Sequence, residues 1–264
     1  MSKVHLLEDE LINKIAAGEV VERPASVLKE LVENAIDAGA TEVRVELIDG
    51  GKELISVTDN GEGMDRNDAE MCIKRHATSK IRSADDLFNV ATMGFRGEAL
   101  ASISSVSRFS IQTRQQGSVG TKLNFDEAGL RLQDWSGSFG TTISVAELFY
   151  NVPARKSFLK ASQTEYSHCL EYITSLALSL PEVGITLIHN GREQFRVGAI
   201  PYEKNDWLIG EEPFRQRVTD VLAKKYDGEF LYTKIEDKFG HVEALVSPPG
   251  HEKGSSKFLY TYVT

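Results

Sequence analysis

The sequence predicts a mixed α/β protein, because patterns typical of helices and of paired strands follow one another along its 264 residues. Apolar residues at helical spacing occupy residues 7–17 and again residues 24–38. Two runs of alternating apolar and polar residues, 43–47 and 54–58, then flank an Asp-Gly-Gly turn at residues 49–51. This alternation indicates two strands joined as a hairpin directly after two helices.

Further helices and strands follow, and they divide the chain into two parts. Between residues 61 and 97 the pattern loosens, and its glycines, short helical pieces and a basic stretch indicate a long mobile connection. We place the first part at residues 1–150 and the second at residues 151–264, although the boundary falls on a turn sequence rather than on a linker. The remaining predicted helices cover residues 97–106, 165–180 and 213–225, and the remaining strands cover residues 108–113, 121–125, 130–135, 141–148, 185–189, 194–197, 229–235, 241–246 and 257–263.

Composition and charge exclude several classes of protein. The chain carries 30 Lys and Arg residues against 39 Asp and Glu residues, a net charge of −9, and 41% of its residues are hydrophobic. These values exclude a disordered, collagen-like or coiled-coil chain. Two cysteines, Cys72 and Cys169, cannot form a disulfide framework and indicate a reducing compartment. We expect no membrane helix, since no apolar run approaches about 18 residues, and the acidic balance argues against tight nucleic-acid binding by bulk charge.

The common nucleotide-binding and nucleophile motifs are missing from the sequence. Residues 117–122 have the wrong spacing for a phosphate loop, and Arg66 stands where a dinucleotide fingerprint needs its third glycine. The cysteines and histidines lack metal-ligand spacing, and no Gly-x-Ser-x-Gly elbow occurs. Any chemistry must therefore come from other combinations of residues.

Two of these combinations involve a carboxylate, and each has an ordinary structural alternative. Glu30 and Asn34 share one helix face, where a carboxylate could take a proton from an attacking water and an amide oxygen could bind Mg²⁺. The alternative is the solvated face of an amphipathic helix. Asp59, Gly61 and Gly63 follow a strand, where the carboxylate could accept the amino group of an adenine and the glycines would permit close approach. The alternative is a plain turn.

The third combination is a glycine-flanked loop, residues 94–100, that enters a helix behind a basic stretch, residues 74–82. Free backbone N–H groups and the helix dipole favour a phosphate at such a loop. The basic stretch, named the lid below, carries four fixed positive charges and no acidic residue between Met71 and Ala84. This composition suits a lid over phosphates, and the alternative is a solvated run of charge.

The order of these features, completed by Gly140-Thr141-Thr142 before a strand, resembles the nucleotide site of the ATPase superfamily that joins gyrase, a heat-shock chaperone, histidine kinases and MutL. Five longer blocks are similar to the MutL branch in particular, and the last of them lies outside the nucleotide motifs. The blocks are Ile15-Ala16-Ala17-Gly18-Glu19-Val20-Val21-Glu22-Arg23-Pro24, Asp37-Ala38-Gly39-Ala40, His76-Ala77-Thr78-Ser79-Lys80-Ile81, Gly94-Phe95-Arg96-Gly97-Glu98-Ala99-Leu100 and Phe149-Tyr150-Asn151-Val152-Pro153-Ala154-Arg155-Lys156.

The resemblance implies ATP and Mg²⁺ as cofactors and a role for each matching residue. Glu30 would be the general base for water that attacks the γ-phosphate, and Asn34 would bind Mg²⁺. Asp59 would accept the adenine amino group, with support from Thr141 through a water. The other nucleotide-binding residues implied are Gly61, Gly63, Thr78, Ser79, Lys80, Gly94, Phe95, Arg96, Gly97, Glu98, Ala99 and Leu100.

The resemblance also implies a fold and an activity. The fold expected is a two-layer α/β sandwich with helices on one face of a mixed, mostly antiparallel sheet, followed from about residue 149 by a second α/β domain of the kind seen in a small-subunit ribosomal protein. The activity expected is a weak Mg²⁺-dependent ATPase in DNA mismatch repair, in which ATP closes the lid and drives the N-terminal regions into a homodimer or heterodimer. Implied partners are a MutS-type mismatch recogniser, a nicking endonuclease, a helicase and weakly, non-specifically bound DNA. The implied location is the cytoplasm, at the nucleoid, or the nucleus of a eukaryote.

Two departures from the family pattern and two alternative functions remain. The family continues beyond the last predicted strand with a lysine for the γ-phosphate and a dimerisation tail. Its metal-dependent endonuclease motif would also lie outside residues 1–264, so this chain gives no reason to expect nuclease activity.

The alternatives are another ATPase of the superfamily, of chaperone or topoisomerase type, and a nucleotide-binding interaction module without turnover. The lid and the block at residues 149–156 argue against the first alternative.

Overall fold

The structure is a computed structural model, and it describes residues 21–80, 97–201, 210–222, 230–237, 240–250 and 259–262. The predicted helix at residues 7–17 lies outside these residues. So do three of the predicted nucleotide-binding residues, Gly94, Phe95 and Arg96.

The first described helix, α1 (Pro24–Asp37), forms where the sequence predicts it. Pro24 lies in the first turn, where a missing backbone N–H is no loss, and Gly39 adopts a φ of +73° just beyond the end. One face of the helix is buried and therefore decides how α1 packs on the strands. That face consists of Pro24, Val27, Leu28, Leu31, Val32 and Ala35.

A mixed sheet of eight strands forms the centre of the structure. Its strands are β1 (Glu42–Ile48), β2 (Leu54–Asp59), β3 (Arg108–Arg114), β4 (Gly120–Asp126), β5 (Gly129–Trp135), β6 (Gly140–Ala146), β7 (Gly184–His189) and β8 (Arg192–Val197). Their order is β5-β4-β3-β6-β2-β1-β7-β8. Every neighbouring pair is antiparallel except β1 and β7, which run parallel. The predicted mixed, mostly antiparallel sheet is therefore confirmed.

Helices cover one face of this sheet, and polar side chains cover the other. The covering helices are α1, α2 (Arg66–Met71), α3 (Ala99–Ser105) and, after the short α4 (Pro153–Lys156), α5 (Ser162–Ser179). On the opposite face, hydroxyl pairs join neighbouring strands. Ser56 Oγ lies 3.1 Å from Ser144 Oγ, and Thr58 Oγ1 lies 3.0 Å from Thr142 Oγ1. This arrangement is the two-layer sandwich that the family resemblance implies.

Beyond residue 150 the chain first extends the same sheet, through β7 and β8, and then forms α6 (Glu211–Leu222) and a separate hairpin of β9 (Leu231–Asp237) and β10 (Gly240–Val246). The fully buried Arg217 holds α6 in place by donating to the carbonyl oxygens of Val183 at 3.1 Å and Gly198 at 3.0 Å. The division of the chain after residue 150 stays a prediction.

The strand predicted at residues 257–263 does not extend through its described part, because residues 259–262 form neither helix nor strand. Of the helices in the described part of the chain, none is long and apolar enough to span a bilayer.

Candidate functional site

Three neighbouring strands in the middle of the sheet bring polar side chains into one row, at the edge where β2 and β3 end and β6 begins. The register pairs Asp59, at the end of β2, with Thr141 on β6, and Thr141 with Thr113 at the end of β3. Apolar residues fill the neighbouring positions of this face farther into the sheet, such as Val57 and Ile143. Thr113 is 0% exposed and Thr141 is 9% exposed, so the row lies against the core rather than in water.

The Asp59 carboxylate is held by backbone N–H groups in a desolvated position. Its Oδ1 accepts hydrogen bonds from Gly61 N at 2.9 Å and from Thr141 N at 3.3 Å. Burial raises the pKa of Asp59 from its ordinary value of 3.8 to about 6, although both N–H groups act in the opposite direction. Burying this carboxylate is costly, and among the described residues no protein group donates a hydrogen bond to its Oδ2. It is therefore suited to accept a hydrogen bond from a ligand.

The turn after Asp59, residues 59–64, fits tightly between α1 and β3. A Cβ at Gly61 would lie 2.7 Å from the carbonyl oxygen of Ala38. Gly63 adopts a φ of +70°, and a Cβ there would collide with the carbonyl group of Arg114. The sequence predicts that both glycines let a ligand approach the backbone closely. The structure shows that they also let the protein's own backbone, at Ala38 and Arg114, approach closely.

Asn60 is a residue of this turn that the sequence did not single out. Its Oδ1 accepts hydrogen bonds from the backbone N–H groups of Thr41 and Glu42, both at 2.9 Å. Its Nδ2 donates to Thr41 Oγ1, also at 2.9 Å. Asn60 thus ties the turn to the start of β1 and fixes the backbone from which the Asp59 side chain projects.

A second set of polar groups lies on the partly exposed face of α1 and meets the lid. Lys80 Nζ is 2.9 Å from Asn34 Oδ1 and 2.5 Å from Asp37 Oδ2. The side chains of Lys80 and Asp37 are only 18% and 8% exposed, so this ion pair is largely shielded from water. Asp37, which sequence reasoning did not assign to the site, is therefore part of it.

The same helix face concentrates negative charge. Glu30, Asn34 and Asp37 follow one another at intervals of one helical turn. Burial raises the pKa of Glu33. The nearby Lys29 ammonium lowers this pKa, whereas the Glu30 and Asp37 carboxylates raise it further. An excess of carboxylates beside an amide oxygen attracts a cation, and the ammonium of Lys80 lies at this position.

The donor set fits Mg²⁺, which prefers oxygen ligands. Asn34 and Asp37 already place two oxygens on one cation, the Lys80 ammonium. Within the described residues no group of three or more His, Cys, Asp and Glu side chains is arranged to hold a metal by itself. A magnesium ion at Asn34 would therefore need further oxygens from a ligand or from water.

The lid also contacts the loop that precedes α3. Gly97 has a φ of +62°, and a Cβ there would lie 2.6 Å from the carbonyl oxygen of Ala77. His76 Nδ1 lies 3.4 Å from Glu98 Oε1. Within the lid, Lys80 N donates to Thr78 Oγ1 at 3.1 Å. The predicted residues Thr78, Lys80, Gly97 and Glu98 are thus brought together, with Ser79 exposed beside them and with Ala99 and Leu100 in the first turn of α3.

The block at residues 149–156 braces the same region from behind. Asn151 Nδ2 donates to the carbonyl oxygen of Ser105, in the last turn of α3, at 2.9 Å. Arg155 Nη1 donates to the carbonyl oxygen of Val21, just ahead of α1, at 3.1 Å. Phe149 is buried and adopts a φ of +63°, which is rare for a bulky residue. The block therefore supports α3 and the start of α1, although it contains none of the predicted nucleotide-binding residues.

We expect the Lys80–Asp37 pair to show energetic coupling in a double-mutant cycle of Lys80→Met and Asp37→Asn. Removing one partner leaves the other charge largely buried, whereas removing both does not, so the coupling should be about 1–3 kcal/mol. Urea unfolding of the four proteins without nucleotide measures it. Strictly additive effects would show that the pair does not anchor the lid, and the exposed pair Lys74–Glu70 provides a control with coupling below about 1 kcal/mol.

Comparisons with known proteins agree with this geometry. Residues 22–135 match the family model described as histidine kinase-, DNA gyrase B- and HSP90-like ATPase. The chain is 46% identical to the DNA mismatch repair protein MutL of Myxococcus xanthus, over 100% of this chain and 41% of that protein. It is 45% identical to MutL of Geobacter sulfurreducens, over 99% of this chain and 41% of that protein. The chain thus spans about two fifths of the length of these curated relatives.

A solved structure gives the same result at the level of the domain. The Aquifex aeolicus MutL ATPase domain complexed with ADP superposes with a TM-score of 0.63 at 32% identity, and the match covers 89% of this chain and 80% of that one. Family model, relatives and structure thus confirm the family that the sequence blocks indicate. The chain therefore belongs to the MutL family of DNA mismatch repair proteins and contains its histidine kinase-, gyrase- and HSP90-like ATPase domain.

Proposed function

We propose that this chain binds Mg²⁺–ATP between α1 and the edge of the sheet and hydrolyses it slowly, as the ATPase part of a mismatch repair factor. The observation that carries the proposal is the desolvated Asp59 carboxylate, which lies beside the C-terminal end of α1 while Glu30, Asn34 and Asp37 line the same helix. The end of the proposed site at Asp59 suits a base with an amino group. The end at Glu30, Asn34 and Asp37 suits a cation with phosphates.

At the sheet edge, Asp59 accepts the exocyclic amino group of adenine. Its Oδ1 is occupied by backbone donors, which leaves Oδ2 for the ligand. Thr141 supports the base through a water. Guanine places a carbonyl oxygen where adenine has its amino group, and that oxygen would face a carboxylate without a hydrogen between them. The site therefore selects ATP over GTP.

At the helix, Glu30 orients and deprotonates the attacking water, and Asn34 would contribute an oxygen to a bound Mg²⁺. Bound Mg²⁺ would supply charge neutralisation to the phosphates. The Lys80 ammonium exchanges its contacts with Asn34 and Asp37 for phosphate oxygens when the lid closes. Residues 97–100, ahead of and within the first turn of α3, line the phosphates beside the lid.

In a protein of the full length of the curated relatives, nucleotide binding selects a closed arrangement in which two ATPase domains associate. ATP can shift this equilibrium only by binding the closed state more tightly than the open one, and we assign this difference in affinity to the lid contacts at Lys80. The closed dimer then connects a MutS-type mismatch recogniser to strand incision and unwinding, with weak DNA binding, at the nucleoid. The name that the relatives share supports this role.

The experiment that tests the proposal is ATP binding and steady-state turnover by the purified chain, with and without Mg²⁺ and with GTP for comparison. We expect saturable ATP binding, preference over GTP, and phosphate release that requires Mg²⁺. Binding without turnover would favour the interaction module instead, and no ATP binding at all would overturn the proposal. Failure of mismatch-bound MutS to recruit a protein of the full length of these relatives would favour an ATPase with another task.

A further inference from the structure

The buried hydroxyl of Thr113 connects the turn after Asp59 to the neighbouring strand. Thr113 Oγ1 accepts a hydrogen bond from Met64 N at 2.8 Å. It also lies 2.9 Å from Thr141 Oγ1, and this contact between the two side chains is fully buried. Thr113 therefore makes its polar contacts with the last residue of the turn and with the strand residue beside Asp59.

The hydrogen-bond capacity of these hydroxyls gives the contact a direction. A threonine hydroxyl has one proton to donate and lone pairs to accept with. Met64 N–H already uses an acceptor site of Thr113, and a buried donor without an acceptor costs about 1–3 kcal/mol. The arrangement that satisfies Thr113 in full has its proton donated to Thr141 Oγ1.

Thr141 must then donate its own proton elsewhere. Among the described residues, no side-chain or backbone acceptor is hydrogen-bonded to this hydroxyl apart from the Thr113 contact. Thr141 follows Gly140 at the start of β6, opposite Asp59 in the register. Its proton is thus available to a molecule bound at Asp59.

We propose that Thr113 is a positioning residue that sets the base specificity of the site, by fixing Thr141 as a hydrogen-bond donor toward the nucleobase. The inference rests on the proposed ATP site and adds a residue to it. Beside its amino group adenine presents N1, which is an acceptor. Asp59 as acceptor and Thr141 as donor, directly or through one water, therefore match the amino group and N1 as a pair.

The test compares the affinity of the purified chain for ATP and for 1-deaza-ATP, which keeps the amino group and lacks the N1 acceptor. The wild-type chain should bind ATP at least about tenfold more tightly than 1-deaza-ATP. Thr113→Val keeps the shape and removes the hydroxyl, so Thr141 is free to reorient. This variant should bind ATP about tenfold more weakly and lose most of its preference over 1-deaza-ATP.

Two matched variants separate the hydroxyl from packing. Thr113→Ser restores the hydroxyl and should restore the preference, which a merely structural role of the methyl group would not do. Thr121→Val makes the same exchange at a buried residue of the same row, one strand farther from Asp59, and should keep the wild-type preference.

Several results would overturn the inference. An unchanged preference in Thr113→Val, a Thr113→Ser variant that behaves like the valine, or an equal loss in Thr121→Val would each do so. If Thr113→Val does not fold, equal affinities of the wild-type chain for ATP and 1-deaza-ATP still refute it. Tight ATP binding together with any of these results leaves the proposed function standing, whereas a wild-type chain that binds no ATP removes both.

Discussion

Glu30→Ala should retain ATP binding and lose about 10²–10⁴-fold in steady-state turnover. A general base acts on the attacking water in the transition state and contributes little to the affinity for the nucleotide. Glu30 lies on the same face of α1 as Asn34 and Asp37, so in the proposed site it would lie near the phosphates rather than near the base. The measurement is nucleotide affinity beside phosphate release, with the same preparation and at saturating Mg²⁺.

Glu33→Ala is the matched control for this prediction. Glu33 lies one turn from Glu30 on the same helix and has a raised pKa because of burial, which is a property often found in a catalytic base. We assign the role to Glu30, and so expect Glu33→Ala to keep turnover within about tenfold of wild type. Turnover lost in Glu33→Ala and kept in Glu30→Ala would reverse the assignment. A loss of affinity equal to the loss of rate in Glu30→Ala would remove it.

Local patterns were sufficient to predict most elements of this fold. Helix α1 and strands β1 to β6 follow from apolar spacing that each segment carries by itself. Element ends were less accurate where a contact distant in sequence decides them. The helix predicted at residues 165–180 is observed as Ser162–Ser179. Ser162 hydrogen-bonds to Asp49 and Glu165 Oε1 accepts from Lys160 N, which stabilises an earlier start.

The candidate site was predictable only in part, for the same physical reason. Asp59, Gly61 and Gly63 share one short motif, and their types already indicate a constrained turn. Thr113 carries no local signal, since it becomes a site residue only when strand pairing places it beside Thr141, 28 residues away. Lys80 similarly reaches Asp37 across 43 residues. Contacts between distant segments require the register of the sheet and the position of the lid, which apolar spacing does not encode.

Asp59→Ala should weaken ATP binding by at least about 10–100-fold while the chain stays folded. Without the carboxylate, the adenine amino group would enter a desolvated pocket without an acceptor, which costs about 1–3 kcal/mol or more. The Gly61 and Thr141 N–H groups would lose their acceptor as well. Unchanged ATP affinity in this variant, or a wild-type chain that binds GTP as well as ATP, would refute the assignment of Asp59 to the base.

Asp59→Asn separates binding from stability. The amide keeps the size of the carboxylate and an oxygen for the two N–H groups, but its NH₂ group would face the amino group of adenine. We therefore expect it, like the alanine variant, to bind ATP much more weakly than the wild-type chain. Because it removes a buried charge, it should also raise the free energy of unfolding at pH 7.5, by on the order of 1–3 kcal/mol.

The pH dependence of this gain follows from the pKa of Asp59, which is about 6 in the folded chain against an ordinary value of 3.8. The folded state binds the proton more readily than the unfolded state, so the charged carboxylate destabilises the fold fully above pH 6 and less and less as the pH falls toward 4. The advantage of Asp59→Asn over wild type should therefore be greatest at pH 7–8 and fade near pH 4. Urea unfolding across this range measures the difference in stability.

Asp65→Asn is the control for this prediction. Asp65 is an exposed helix cap whose side chain accepts from Asp68 N at 2.8 Å, and the variant should show little change, since Asn caps as well as Asp. A loss of stability in Asp59→Asn at pH 7.5 would contradict this prediction. It would mean that the Asp59 carboxylate stabilises the fold, and not that its burial destabilises it.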